Sequence, residues 1–156
     1  MKTCCFTGHR HIERDHLGRL PSLLEQEILR LLSEGVTVFR NGGATGFDTV
    51  AALKVIAMRQ VYPQMELEMW LPCRDQAARW PQEQRECYDY ILSQADRVRY
   101  ISERYTRFCM LERDRRMVDG SDVCVAYCLR TSGGTGYTCQ YALHSGVELR
   151  NIATLL

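Results

Sequence analysis

The stretch Val36-Thr37-Val38-Phe39-Arg40-Asn41-Gly42-Gly43-Ala44-Thr45-Gly46-Phe47-Asp48 decides the fold. Its first part, Val36–Asn41, is a short β-branched and apolar run, as expected of a strand covered on both faces. Its second part places three glycines and a threonine in five residues. From Gly46 to Gln60 the apolar Ala51, Ala52, Val55 and Ile56 then fall on one helical face. Strand, glycine-rich turn and helix make half of a parallel crossover unit. Five more runs read as strands: Thr3–Thr7, Leu67–Leu71, Arg97–Ile101, Val123–Tyr127 and Asn151–Leu155. Helical patterns separate them. Leu17, Leu20, Leu24, Ile28 and Leu31 form one apolar stripe, with Pro21 near its start and Gly35 as its stop. Pro81 to Ala95, Tyr105 to Val118 and Gly136 to Ser145 supply three further helices.

Strand and helix alternate from end to end, which predicts an α/β fold. It is a single Rossmann-like domain over residues 1–156, with a mostly parallel sheet of five to six strands and helices on both faces. In such folds ligands bind at the carboxyl ends of the strands, where the strand order reverses. The loops after the strands therefore carry the candidate chemistry, and those at 7–10, 41–48 and 132–138 are expected to line one crevice.

Composition narrows the classes. The chain has 156 residues, 20 basic and 19 acidic, for a net charge of +1. That balance makes nucleic acid an unexpected partner, because dedicated binders carry a strongly basic face. Of the basic residues 18 are Arg and two are Lys (Lys2 and Lys54); a guanidinium fork suits phosphate and carboxylate. No apolar run approaches the roughly 20 residues of a membrane helix. The first ten residues turn polar after Phe6, so no secretion signal is expected and the protein reads as cytoplasmic. None of the eight cysteines is spaced C-x-x-C and no histidine clusters with them, so no metal site is expected. They read as small buried hydrophobes.

Three strand-to-helix loops stand out. In Thr7-Gly8-His9-Arg10, Gly8 permits close backbone approach, Arg10 can pair with phosphate and His9 can hydrogen-bond one. In the loop at 41–48, Gly42, Gly43, Thr45 and Gly46 leave backbone amides uncovered at a helix N-terminus, where the helix dipole also favours anions. Asp48 there can stabilise the helix end by charge or accept a hydrogen bond from a ribose hydroxyl. The spacing is neither a Walker loop nor a full G-x-G-x-x-G, so neither an ATPase nor a dehydrogenase follows. The third loop, Ser132-Gly133-Gly134-Thr135-Gly136-Tyr137-Thr138, repeats the arrangement of hydroxyls, glycines and a helix start. Arg113 falls between Met110 and Met117 on the packing side of its helix, and a buried guanidinium needs an anionic partner. Trp70 and Trp80, flanking Leu71-Pro72-Cys73, read as anchors of a loop on the core, with stacking on a nucleobase as the alternative. Cys73 lacks the His or Asn neighbours of a nucleophile.

Taken together, Thr7–Arg10, Gly42–Asp48, Leu71–Cys73, Arg113–Asp119 and Gly133–Thr135 occur in an order that resembles the SLOG superfamily, most closely its YpsA/YoqJ-like bacterial branch. That resemblance implies a Rossmann-like fold. It also implies a nucleotide-derived ligand, a nucleotide or an ADP-ribose-like molecule, with no settled reaction. The superfamily includes the LOG phosphoribohydrolases and the DNA-processing protein DprA. Compared with the LOG motifs, Glu112, Arg113 and Met117 fit, but Asp114 stands in place of a Lys. Gly133, Gly134 and Gly136 also fit, but Ser132 replaces a Pro, Tyr137 a Thr and Gln140 the catalytic Glu. An amide cannot shuttle a proton as a carboxylate does.

The expectation is therefore a binding or sensor protein rather than an enzyme, with no assigned catalytic residue and no certain cofactor. Gly42, Gly43, Gly46, Gly133, Gly134 and Thr135 would hold phosphates, Arg10 and Arg113 would neutralise charge, and Asp48 would meet a ribose. Gly8, His9, Thr45, Ser132, Gly136 and Thr138 complete the expected site. Gln140 is expected to face the same crevice. One alternative is a LOG-like hydrolase of nucleoside monophosphates using Glu103 or Asp119. A second is DprA-like binding of single-stranded DNA, which wants a basic, aromatic-lined groove. By analogy with LOG-like relatives, a homodimer is expected.

Overall fold

The computed structural model describes residues 2–156. The elements are β1 (Lys2–Gly8), α1 (Arg14–Leu17), α2 (Leu20–Ser33), β2 (Val36–Asn41), α3 (Phe47–Arg59), β3 (Glu66–Cys73) and α4 (Gln82–Gln94). They continue with β4 (Arg97–Ser102), α5 (Cys109–Val118), β5 (Val123–Tyr127), α6 (Gly133–His144) and β6 (Glu148–Asn151), before a final 3-10 turn at Ile152–Leu155. All six strands form one sheet in the order β4-β3-β2-β1-β5-β6, and every pair is parallel. The chain steps outward from β1 to β4, then returns to the other side of β1. The strand order thus reverses between β1 and β5, which sets the binding crevice there.

The helices cover the two faces unequally. Helices α1 to α4 pack on one face over a large core that includes Phe6, Leu24, Ile28, Phe39, Ala51, Val55, Leu67 and Val125. Burying a leucine such as Leu24, fully inaccessible here, contributes about 1.5–3 kcal/mol. Helices α5 and α6 cover the other face over a smaller cluster of Cys5, Met117, Val118, Cys124 and Ala142. Six of the eight cysteines are buried. Arg150 on β6 pairs with Glu27 at 2.9 Å and with Glu34 and Glu148 at 2.5 Å, tying the edge strand to α2. Among the described residues no helix is long and apolar enough to cross a membrane.

Three boundaries differ from the sequence expectation. The last strand ends at Asn151 instead of beginning there. Asn151 turns its side chain onto the backbone, accepting from Ala153 N at 3.2 Å and Cys128 N at 3.1 Å, and so caps a 3-10 turn. Helix α5 starts at Cys109 rather than Tyr105. The N–H of Tyr105 donates to Asp75 and that of Thr106 to Cys109 Sγ, so the preceding backbone is held outside the helix. Helix α6 starts at Gly133, not Gly136, so most of its glycine-rich loop is the helix's own first turn.

Candidate functional site: two clefts with a shared wall

The loops after β1, β2 and β5 converge at the reversal point and together line one cleft, as expected, and the first two of them also bound a second. The first, about 660 Å³, is lined by Thr7, Gly8, His9, Arg10, Ala44, Asp48, Arg113, Asp114, Arg130 and the first turn of α6, among others. The second, about 580 Å³, lies between the α3 N-terminus and α4. Arg10, His11 and Asp48 belong to both and form the wall between them. Of the expected residues, Gly8, His9, Arg10, Asp48, Arg113, Ser132, Gly133, Gly134 and Thr135 face the first cleft. Gly43, Thr45 and Gly46 face the second. Gly42, Gly136 and Thr138 line neither; the Thr138 hydroxyl donates back to the Gly134 carbonyl at 2.9 Å.

The two glycine-rich segments do different work. A Cβ on Gly42 would stand 2.7 Å from Arg113 Nη1, and one on Gly46 would collide with the carbonyl of Arg10. These glycines admit protein neighbours. At Gly133 and Gly134 a Cβ would meet nothing within 4 Å. The α6 N-terminus, with Ser132 at the cap and no side-chain capping bond, therefore presents its first amides to open cleft.

Asp48, in the first turn of α3, is buried. One oxygen accepts from Ala44 N at 3.1 Å. The other, Oδ1, is buried with no hydrogen-bond partner among the described residues. Burial raises its carboxyl from the ordinary 3.8 to about 6, against the opposing pull of Arg113. Arg113 is itself buried, and the protein supplies its partners. It donates through Nε to Asp114 at 2.7 Å and through Nη1 to the carbonyl of Gly42. Its Nη2 meets the Met110 sulfur at 4.0 Å.

His9 is a stitch between loops. Its Nε2 accepts from Leu129 N at 2.8 Å, and its backbone links to Tyr127 and Phe47. Burial, with Arg130 nearby, lowers its pKa, so the ring is neutral and carries its proton on Nδ1. Arg10 is exposed, with Nη2 3.8 Å from the Met110 sulfur. Burial pushes the Cys73 thiol up to about 12, which leaves it inert as a nucleophile.

The side chain of Gln140 is exposed and lines neither cleft. The expectation that it faces the crevice fails because α6 begins three residues early, which places Gln140 about two turns into the helix. Sequence reasoning missed Arg130, although it lies just beyond the carboxyl end of β5, where such folds bind their ligands. It also missed the second cleft. Trp80 does anchor on the core, edge-on to Tyr88 with centroids 5.2 Å apart, and it lines that cleft as well.

The family model YpsA, described as the YspA SLOG family, matches residues 4–148. The chain belongs to this SLOG family. A UPF0398 protein of Bacillus cereus is 32% identical over 111 residues, which cover 67% of this chain and 60% of that protein. A UPF0398 protein of Halalkalibacterium halodurans is 33% identical over 111 residues, covering 67% and 59%. The match thus spans about 60% of the length of these curated relatives. Among solved structures, DprA from Streptococcus pneumoniae superposes with a TM-score of 0.68 at 16% identity, covering 95% of this chain and 49% of that one. DprA from Helicobacter pylori, whose structure is described in terms of its single-stranded DNA binding mode, gives 0.67 at 18% identity, covering 95% and 63%. At such identities the likeness is one of fold.

Proposed function

We propose that this SLOG-family protein binds a nucleotide-derived small molecule, a nucleotide or an ADP-ribose-like compound, without consuming it. The observation that carries the reading is the first cleft itself. It opposes a buried, unpartnered carboxylate oxygen on Asp48 to an uncapped helix N-terminus with open glycines. A phosphate fits the Gly133, Gly134 and Thr135 amides, where Arg10 and Arg130 add positive charge. A sugar hydroxyl fits Asp48 Oδ1, because it donates the hydrogen bond that oxygen lacks.

The test is calorimetric titration with AMP and ADP-ribose. Gly134→Asp is sterically tolerated, since nothing lies within 4 Å of the new Cβ. It puts a carboxylate where the phosphate would sit, so it should abolish binding and leave the circular dichroism spectrum unchanged. Retained affinity in this variant would reject the cradle.

A second reading is hydrolysis of the N-glycosidic bond of a nucleoside monophosphate. It draws on Asp48, whose elevated pKa of about 6 suits proton transfer near neutrality. The other acids considered for this role lie elsewhere: Glu103 pairs with Arg74 at 2.6 Å and Asp119 accepts from Tyr141 at 2.7 Å. Release of free base by the wild-type protein, lost in Asp48→Asn, would promote this reading over the binder.

DNA binding has one local support. From Arg97 to Arg116 there are seven arginines against three acidic residues, and Tyr105 and Phe108 are each 62% exposed. A gel shift with single-stranded DNA at modest salt decides it.

A further inference from the structure

The second cleft, about 580 Å³, is left unused by the phosphate and sugar contacts. We infer that it holds the planar nitrogen heterocycle of the same ligand, with the Arg10–Asp48 wall passing under the sugar. The inference rests on the nucleotide reading and adds where the base lies and what recognises it.

Four observations carry it. Each cleft, at about 660 Å³ and 580 Å³, lies within the roughly 300–1,000 Å³ range of small-molecule sites. Their linings are chemically unlike. The first carries arginines and helix amides, whereas the second is floored by Met69, Tyr88 and Ile91 and flanked by the half-buried Trp80. An indole beside an apolar floor suits a flat ring, which it can meet face to face or edge to face. Asp48, whose buried Oδ1 has no partner among the described residues, lines both clefts, and a sugar joining phosphate to base would pass it. Finally, the exposed Glu83 and Gln84 also line this cleft and offer the acceptors and donors that a base edge requires.

The test uses the indole as its own reporter. The chain has two tryptophans. Trp70 lies apart from the second cleft, its ring flanked by the guanidinium groups of Arg40 at 4.6 Å and Arg99 at 5.2 Å. Trp70→Phe keeps a ring between them and leaves Trp80 as the only tryptophan, which is excited selectively at wavelengths beyond tyrosine absorption. In this variant adenosine, which has no phosphate, should quench Trp80 emission saturably. Ribose 5-phosphate, which has no base, should leave the emission unchanged while still giving a calorimetric binding signal. Trp80→Leu, which keeps an apolar side chain on Tyr88, should weaken AMP binding at least tenfold and leave ribose 5-phosphate binding as in the wild type.

If ribose 5-phosphate binds and adenosine does not quench, the base lies elsewhere and this inference falls while the phosphate cradle stands. If adenosine quenches and ribose 5-phosphate does not bind, the ring site stands and the cradle falls. If neither binds, both are overturned.

Discussion

Asp48 is the residue on which the molecule spends stability. A carboxyl raised from 3.8 to about 6 by burial is more easily protonated folded than unfolded. Its contribution is therefore fully present below pH 4 and is lost as pH rises through about 6. The full penalty for the ionised group corresponds to roughly 3 kcal/mol. Asp48→Asn should thus melt several degrees above the wild type at pH 8, and the two should nearly coincide at pH 4, by calorimetry or circular dichroism. An equal difference at both pH values would show that ionisation is not what burdens the site. The same substitution should weaken AMP binding at pH 8, because the carboxylate acceptor is gone. Asp48 and Arg113 were both legible as candidate site residues from their positions on two helices. Their pairings were not. Nothing in the spacing shows that Arg113 would find Asp114 and the Gly42 carbonyl within the protein. Nor can sequence separate a glycine that admits a neighbour, such as Gly46, from one that opens onto a cleft, such as Gly134.

At the scale of elements, Arg150 joins the outer strand β6 to α2 and its C-terminal end through Glu27 and Glu34, with Glu148 pairing within the strand. Its carboxylate partner Glu27 is buried, while Arg150 keeps 19% of its side chain exposed. Removing the partner of a buried ion costs about 3–5 kcal/mol, and both the partial exposure of Arg150 and the Arg30 guanidinium that remains 3.5 Å from Glu27 lower that. Arg150→Ala should therefore destabilise the fold by about 2–3 kcal/mol in urea, with Arg150→Lys recovering only part of it. A loss below 0.5 kcal/mol, within the range of ordinary surface changes, would make the cluster decorative. The strands and helices of the interior were readable because each apolar run or stripe has a local period. Element ends were less readable, because tertiary bonds set them. Asp75 and Cys109 hold back the start of α5, and Asn151 converts the expected last strand into a turn.

Across the whole molecule the two faces of the sheet are unequal, and the difference should appear in dynamics. Helix α3 buries six apolar residues in the large core besides Asp48, whereas α5 buries four residues, one of them Arg113. Amide hydrogen exchange should be faster along α5 than along α3, with α6 first-turn amides slowing when AMP is added. Uniform protection of the two helices would contradict the unequal-core account. The parallel architecture was legible from the alternation of elements alone. The second cleft was not, because Met69, Trp80 and Tyr88 come from different segments and share no local pattern. The division of the clefts along the chain has a further consequence. Every residue lining the second cleft falls between Arg10 and Ile91, whereas the first also draws on residues from Tyr105 to Thr135. Only the side of the first cleft built by α5 and the start of α6 is therefore encoded apart from the second, since Arg10, His11 and Asp48 serve both. On the reading proposed above, a change confined to the stretch encoding α5 through the first turn of α6 would alter the anion side while leaving every residue of the second cleft in place.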